Sequence, residues 1–71
     1  MSISDKIITL REKKGWTQAE LADKLGYHRP HVNRWETGKY SPSLEALKKL
    51  SKLFKVPIDY LVFDEKKPKK T

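Results

Sequence analysis

The sequence predicts an all-α domain, a bundle of five short helices, and three observations carry that prediction. Apolar residues recur at three- and four-residue spacing in successive segments, and no stretch alternates apolar and polar as a half-buried strand would. Helix start and stop signals bracket those segments, most clearly Thr17 with Gly26 and then Pro30 with Gly38. The chain has 71 residues, enough for one modest core. Asp64 to Thr71, D-E-K-K-P-K-K-T, is too polar to join that core. One domain is therefore expected over residues 1–63, with 64–71 a disordered basic tail or linker.

The first helix is expected from about Ser4 to Lys14, capped by Ser4 or Ser2, with Ile3, Ile7 and Leu10 at helical spacing and Gly15 as its stop. The second is expected from about Gln18 to Leu25. Thr17 is its N-cap, and Glu20 completes a capping box in which each side chain takes a backbone N–H of the other. Leu21, Ala22 and Leu25 form its apolar face, and Gly26 suits the left-handed residue that follows a helix end. The third is expected from about Arg29 to Thr37. Pro30 fits a first turn, where its missing N–H is no loss, and Val32 and Trp35 face one core together. Lys39 to Pro42 reads as a loop. The fourth helix is expected from about Ser43 to Phe54, with Leu44, Leu47, Leu50, Leu53 and Phe54 on a broad apolar face and Lys48, Lys49 and Lys52 opposite. The fifth is short, about Ile58 to Val62, with Pro57 near its start and Asp59 favourable to its N-terminal dipole. The expected core is Ile7, Leu10, Leu21, Ala22, Leu25, Val32, Trp35, Leu44, Leu47, Leu50, Phe54 and Leu61.

The spacing within Thr17 to Gly38 carries more than composition does. Counted from Gln18, the fifth residue is Ala22, the ninth Gly26, the fifteenth Val32 and the eighteenth Trp35. A small fifth residue lets two helices cross closely, a ninth glycine makes the sharp turn, and the two apolar positions pin the second helix on the first. That is a helix-turn-helix, whose second helix is free to enter a DNA major groove.

These residues resemble the Cro and phage-repressor family of DNA-binding domains, also called the xenobiotic-response-element family. T-Q-A-E-L-A, L-G and R-W-E-T-G carry the resemblance, with P-S-L-E-A-L-K-K-L-S-K-L-F and V-P-I-D-Y-L after them, so that it runs from about Ile7 to Phe63. It implies a lambda-repressor-like bundle. It also implies a sequence-specific transcriptional regulator of double-stranded DNA, a repressor acting as a homodimer on a near-palindromic operator. Dimerisation has a physical motive too, since one helix reads few base pairs and two about 34 Å apart double the readout. Helix 5, Tyr60 and Phe63 are the expected contact. The alternative reading is an antitoxin that binds a toxin protein and regulates its own operon.

Composition agrees with a polyanionic partner. Lys and Arg number 16 against 9 Asp and Glu, a net charge of +7. With no cysteine there is neither a disulfide nor a thiolate metal site. No apolar run approaches the roughly 20 residues of a membrane span, and M-S-I-S-D-K lacks a signal-peptide pattern, so a cytoplasmic protein is expected, to which the resemblance adds a bacterial or phage source and a place on the nucleoid. No nucleophile–base arrangement and no phosphate-binding glycine loop is evident, so no enzyme and no cofactor are expected.

The third helix is the expected reader, with His28, Arg29, His31, Asn33 and Arg34 on its exposed face. By the resemblance, the base-contacting positions are Arg29, Pro30, His31 and Arg34. Arginine suits the task because its planar fork can bond guanine O6 and N7 together. Pro30 departs from the polar residue usual there, and either packs on a thymine methyl or simply starts the helix. His28 departs from the usual Ser or Thr cap. By the same resemblance Gln18 is expected to hold a backbone phosphate; His28, Thr37, Lys39 and Tyr40, around the third helix, are expected at the DNA backbone too, and Asn33 at the backbone or a base. An ion pair of Arg11 with Glu36 is expected to tie the first helix to the end of the third. His28 and His31 stand three apart but lack a third ligand, so no metal is expected.

Overall fold

The structure, a computed structural model, describes residues 2–62. Five helices follow one another: α1 (Ile3–Lys14), α2 (Gln18–Leu25), α3 (Arg29–Thr37), α4 (Leu44–Phe54) and α5 (Ile58–Val62). No strand occurs among the described residues. The expected boundary at Phe63 and the expected basic tail 64–71 lie outside them.

Local chemistry sets the helix starts. Thr17 Oγ1 accepts from the Glu20 N–H at 3.0 Å while Glu20 Oε1 accepts from the Thr17 N–H at 2.8 Å, so α2 opens on a complete capping box. Ser43 Oγ accepts from the Ala46 N–H at 3.1 Å, which makes Ser43 the cap and Leu44 the first residue of α4. Ser2, not Ser4, caps α1, accepting from the Asp5 N–H at 3.2 Å. Ser4 is thereby inside the helix, and its hydroxyl donates to the Trp35 carbonyl of α3 at 2.7 Å. Between α2 and α3 the chain turns at Gly26, whose φ of 80° is left-handed. The helix α4 ends on a left-handed residue too, but there it is Lys55 at φ 58°.

The core comprises Ile7, Leu21, Ala22, Leu25, Val32, Trp35, Ala46, Leu50, Phe54 and Leu61. Leu10 and Leu47 only pack against it from a half-buried position, and Trp16 does likewise with its ring 5.8 Å from that of Phe54. Leu44 is a correction: it was expected in the core and is 63% exposed. At 3.6 residues per turn it lies about 120° around α4 from Leu50, whereas Ala46 lies only about 40° away. Ala46 is accordingly buried and was missed. Leu44→Ser is expected to change folding stability by no more than about 0.5 kcal/mol in a urea denaturation curve, because the side chain leaves little water on folding.

One lysine departs from expectation, and a second, Lys6, is buried where the sequence carried no sign of it. Lys49 is half-buried rather than opposite the apolar face, and its Nζ donates to the Leu25 carbonyl at 3.3 Å and stands 5.1 Å over the Tyr27 ring. Lys6 is fully buried. It occupies the middle of the Ile3–Ile7–Leu10 stripe, where its stem packs and its ammonium donates to the Tyr60 carbonyl and lies over the Tyr60 ring. It ties α1 to α5.

Candidate nucleic-acid interface

The helix α3 is fixed from behind. Ala22 is 1% exposed and so small that α3 can close on α2, with Val32 and Trp35 of α3 buried against Leu21 and Leu25. The Trp35 ring meets Tyr27 edge-on at 5.3 Å. With that face committed, His28, Arg29, Pro30, His31 and Arg34 are all exposed, and Asn33 is half-buried at the margin. Thr37, Lys39 and Tyr40 continue the exposed surface past the end of α3.

Beside α3 a set of polar contacts joins three helices. Arg11 Nε donates to Glu36 Oε2 at 2.7 Å and Arg11 Nη2 to Oε1 at 3.1 Å, a two-pronged ion pair between α1 and α3. The third prong, Nη1, donates to the Trp16 carbonyl at 2.8 Å. The Glu36 hydrogen bond raises the Arg11 pKa above its ordinary value, against the opposing pull of burial. From α2, Gln18 Nε2 donates to Glu36 Oε1 at 2.9 Å. That fixes which way the Gln18 amide faces, and its Oε1 then accepts from Arg29 at 3.2 Å and Asn33 at 3.4 Å. Gln18, Arg29, Asn33, Arg11 and Glu36 thus form one cluster. Its side facing solvent is cationic, because the Glu36 carboxylate is 4% exposed and neutralised from within.

A second cluster lies along α3. A shallow concavity of about 310 Å³ between α3 and the following loop is edged by Tyr27, His31, Arg34 and Tyr40. The Arg34 guanidinium stands 5.7 Å from the Tyr40 ring centroid, and the His31 ring lies 5.3 Å from that of Tyr27, tilted by 33°. The Arg34 carbonyl gathers the loop by accepting from the N–H groups of Lys39 at 3.0 Å and Tyr40 at 3.3 Å and from the Thr37 hydroxyl at 3.3 Å. At the start of α3, His31 Nδ1 accepts from the His28 backbone N–H at 3.4 Å. Pro30 sits exposed in the first turn. Among the described residues no group of three or more His, Cys, Asp or Glu side chains is placed to hold a metal. The sequence reading missed Tyr27 and Ser4 as supports of α3. Tyr27 follows a turn glycine with no periodic signal, and the partner of Ser4 is 31 residues away.

Comparison with known proteins gives one consistent answer. A family profile described as "Helix-turn-helix" matches residues 7–61. The HTH-type transcriptional activator BcrR of Enterococcus faecalis is 42% identical over 65 residues, 92% of this chain. The HTH-type transcriptional regulator ImmR of Bacillus subtilis is 34% identical over 70 residues, 99% of this chain. The chain spans 32% of the length of BcrR and 55% of that of ImmR. Among solved structures, the P22 c2 repressor in complex with a synthetic operator superposes with a TM-score of 0.83 at 29% identity, over 87% of this chain and 94% of the repressor chain. The profile spans the capped α2, the Gly26 turn and the pinned α3, and the chain belongs to the helix-turn-helix family of the Cro and phage-repressor type.

Proposed function

We propose that the domain binds double-stranded DNA sequence-specifically as the reading module of a transcriptional regulator, a repressor that occupies a near-palindromic operator as a homodimer. One observation carries the reading: Val32 and Trp35 commit one face of α3 to the core and leave Arg29 and Arg34 exposed on the other. The helix α3 enters the major groove, where Arg29 and Arg34 read guanine and Pro30 and His31 meet neighbouring base edges. Gln18, at the N-terminus of α2, faces a backbone phosphate, which free N–H groups and the helix dipole favour there. His28, Asn33, Thr37, Lys39 and Tyr40 grip further backbone positions, and the Arg11–Glu36 pair holds α3 at its angle. Val62 is 50% exposed beside the half-buried Tyr60 and supports α5 as the homodimer contact. The likeness to an operator-bound repressor supports repression by occupancy. No described helix is long and apolar enough to cross a membrane.

Selection of bound sequences from random duplex DNA, followed by footprinting, tests the reading. It should return a two-fold symmetric site with guanines at mirrored positions. With the +7 chain, log K should fall linearly with log salt, at a slope of about −0.9 per neutralised phosphate. An affinity that stays flat between low and moderate salt rejects DNA as the partner.

A further inference from the structure

We propose that a lysine-edged groove running from α2 across α4 to α5 docks an acidic segment of a partner protein, one that carries leucine- or phenylalanine-like side chains between its carboxylates. The groove has two adjoining hollows. One, of about 380 Å³, lies between α2 and α4, with Leu25 and Leu53 among its lining and Lys24, Lys49 and Lys52 at its edges. The other, of about 280 Å³, shares Lys49 and Lys52 with the first and reaches Lys48 and Ile58 of α5.

The chemistry of the groove narrows its occupant. Four lysines, Lys24, Lys48, Lys49 and Lys52, line it against a single acid, Glu45, which already lies 3.9 Å from Lys49 Nζ. Two of these lysines are held in place, Lys49 by the Leu25 carbonyl and Lys24 by the Trp16 ring at 4.7 Å. Both side chains are therefore partly ordered before any ligand arrives, which lowers the ordering cost of binding. The floor is apolar, with Leu25 buried and Leu53 and Ile58 half-buried. A phosphate backbone would use the charge and waste the floor, whereas an acidic amphipathic segment uses both. No lining residue belongs to α3 or to the loop after it, and the groove meets the reading surface only through Lys49, whose ammonium lies over the Tyr27 ring. The chain's own residues 64–71 carry four lysines and two acids, the wrong sign to fill it. The inference does not depend on the DNA reading.

The test is a titration of the full ¹⁵N-labelled chain, followed by NMR, with a synthetic peptide of repeated Glu-Glu-Leu, and with a Glu-Glu-Ser peptide and a DNA duplex as controls. The Glu-Glu-Leu peptide should shift the amides of Lys24, Leu25, Lys49, Lys52 and Leu53 saturably, and the Glu-Glu-Ser peptide should bind more weakly. A double variant, Lys48→Glu with Lys52→Glu, changes two exposed side chains and should keep the fold, as circular dichroism would show. It should weaken the Glu-Glu-Leu peptide about tenfold through like-charge repulsion and change duplex affinity by less than about threefold. Any of four results overturns the proposal: no saturable shift at roughly 1 mM peptide, equal binding of the serine control, shifts centred on α3, or a loss of duplex affinity that matches the loss of peptide affinity. The last result would make the groove a second DNA contact.

Discussion

Glu36→Ala is expected to lower folding stability by about 3 kcal/mol, which is most of what a small unstapled core supplies. The carboxylate is 4% exposed and accepts two prongs of Arg11 and the amide of Gln18. Its removal leaves the Arg11 guanidinium, 14% exposed, facing a gap with a positive charge and no partner. The loss stays below that of a fully buried pair because Arg11 keeps an edge in water and its bond to the Trp16 carbonyl. Glu36→Gln should fall between wild type and Glu36→Ala, since an amide oxygen can still accept from Arg11. Arg11→Met combined with Glu36→Leu should recover much of the loss, because it removes both charges together. Urea denaturation of the set decides the matter. Near-equal midpoints for wild type and Glu36→Ala would mean the pair holds nothing.

Arg34→Ala is expected to cost about 1–3 kcal/mol of affinity for the selected site and to relax base preference at one mirrored pair of positions. Arg34 lies beyond the core-facing stripe, so its truncation should leave the melting temperature nearly unchanged. Lys39→Ala should instead weaken every sequence alike, because a phosphate contact carries no base information. Selection with the two variants side by side separates the roles. Equal losses on selected and random DNA for Arg34→Ala would make Arg34 a backbone clamp and move base reading elsewhere on α3.

The helix-turn-helix was legible because its determinants are local. Thr17 and Glu20 fix the start of α2, Gly26 fixes its end, and Ala22, Val32 and Trp35 are buried at the spacing that implies it. Leu44 misled because residues spaced by three drift about 60° per step around a helix, and five apolar residues on an eleven-residue helix do not share one narrow face. The burial of Lys6 is visible only once α5 is in place to offer the Tyr60 carbonyl, 54 residues away. No spacing pairs Arg11 with Glu36 across 25 residues, and only the resemblance to a family suggests it. The bridging role of Gln18 was invisible for a related reason. Sequence places it at a helix start, where an outward, phosphate-facing role is the simplest reading, but not beside a carboxylate of α3.

The restraint on α3 has a consequence for discrimination. Ser4 holds the Trp35 carbonyl from α1, and Arg11 and Gln18 hold Glu36 from α1 and α2, so α3 has little freedom to tilt. A stiff reader gives up little conformational entropy on docking. It also cannot adjust its angle to a half-site that is slightly over- or underwound. In a dimer of such readers the duplex must do the twisting, and its stiffness enters the binding free energy. Operator choice would then depend on base pairs midway between the half-sites, which no side chain of α3 touches.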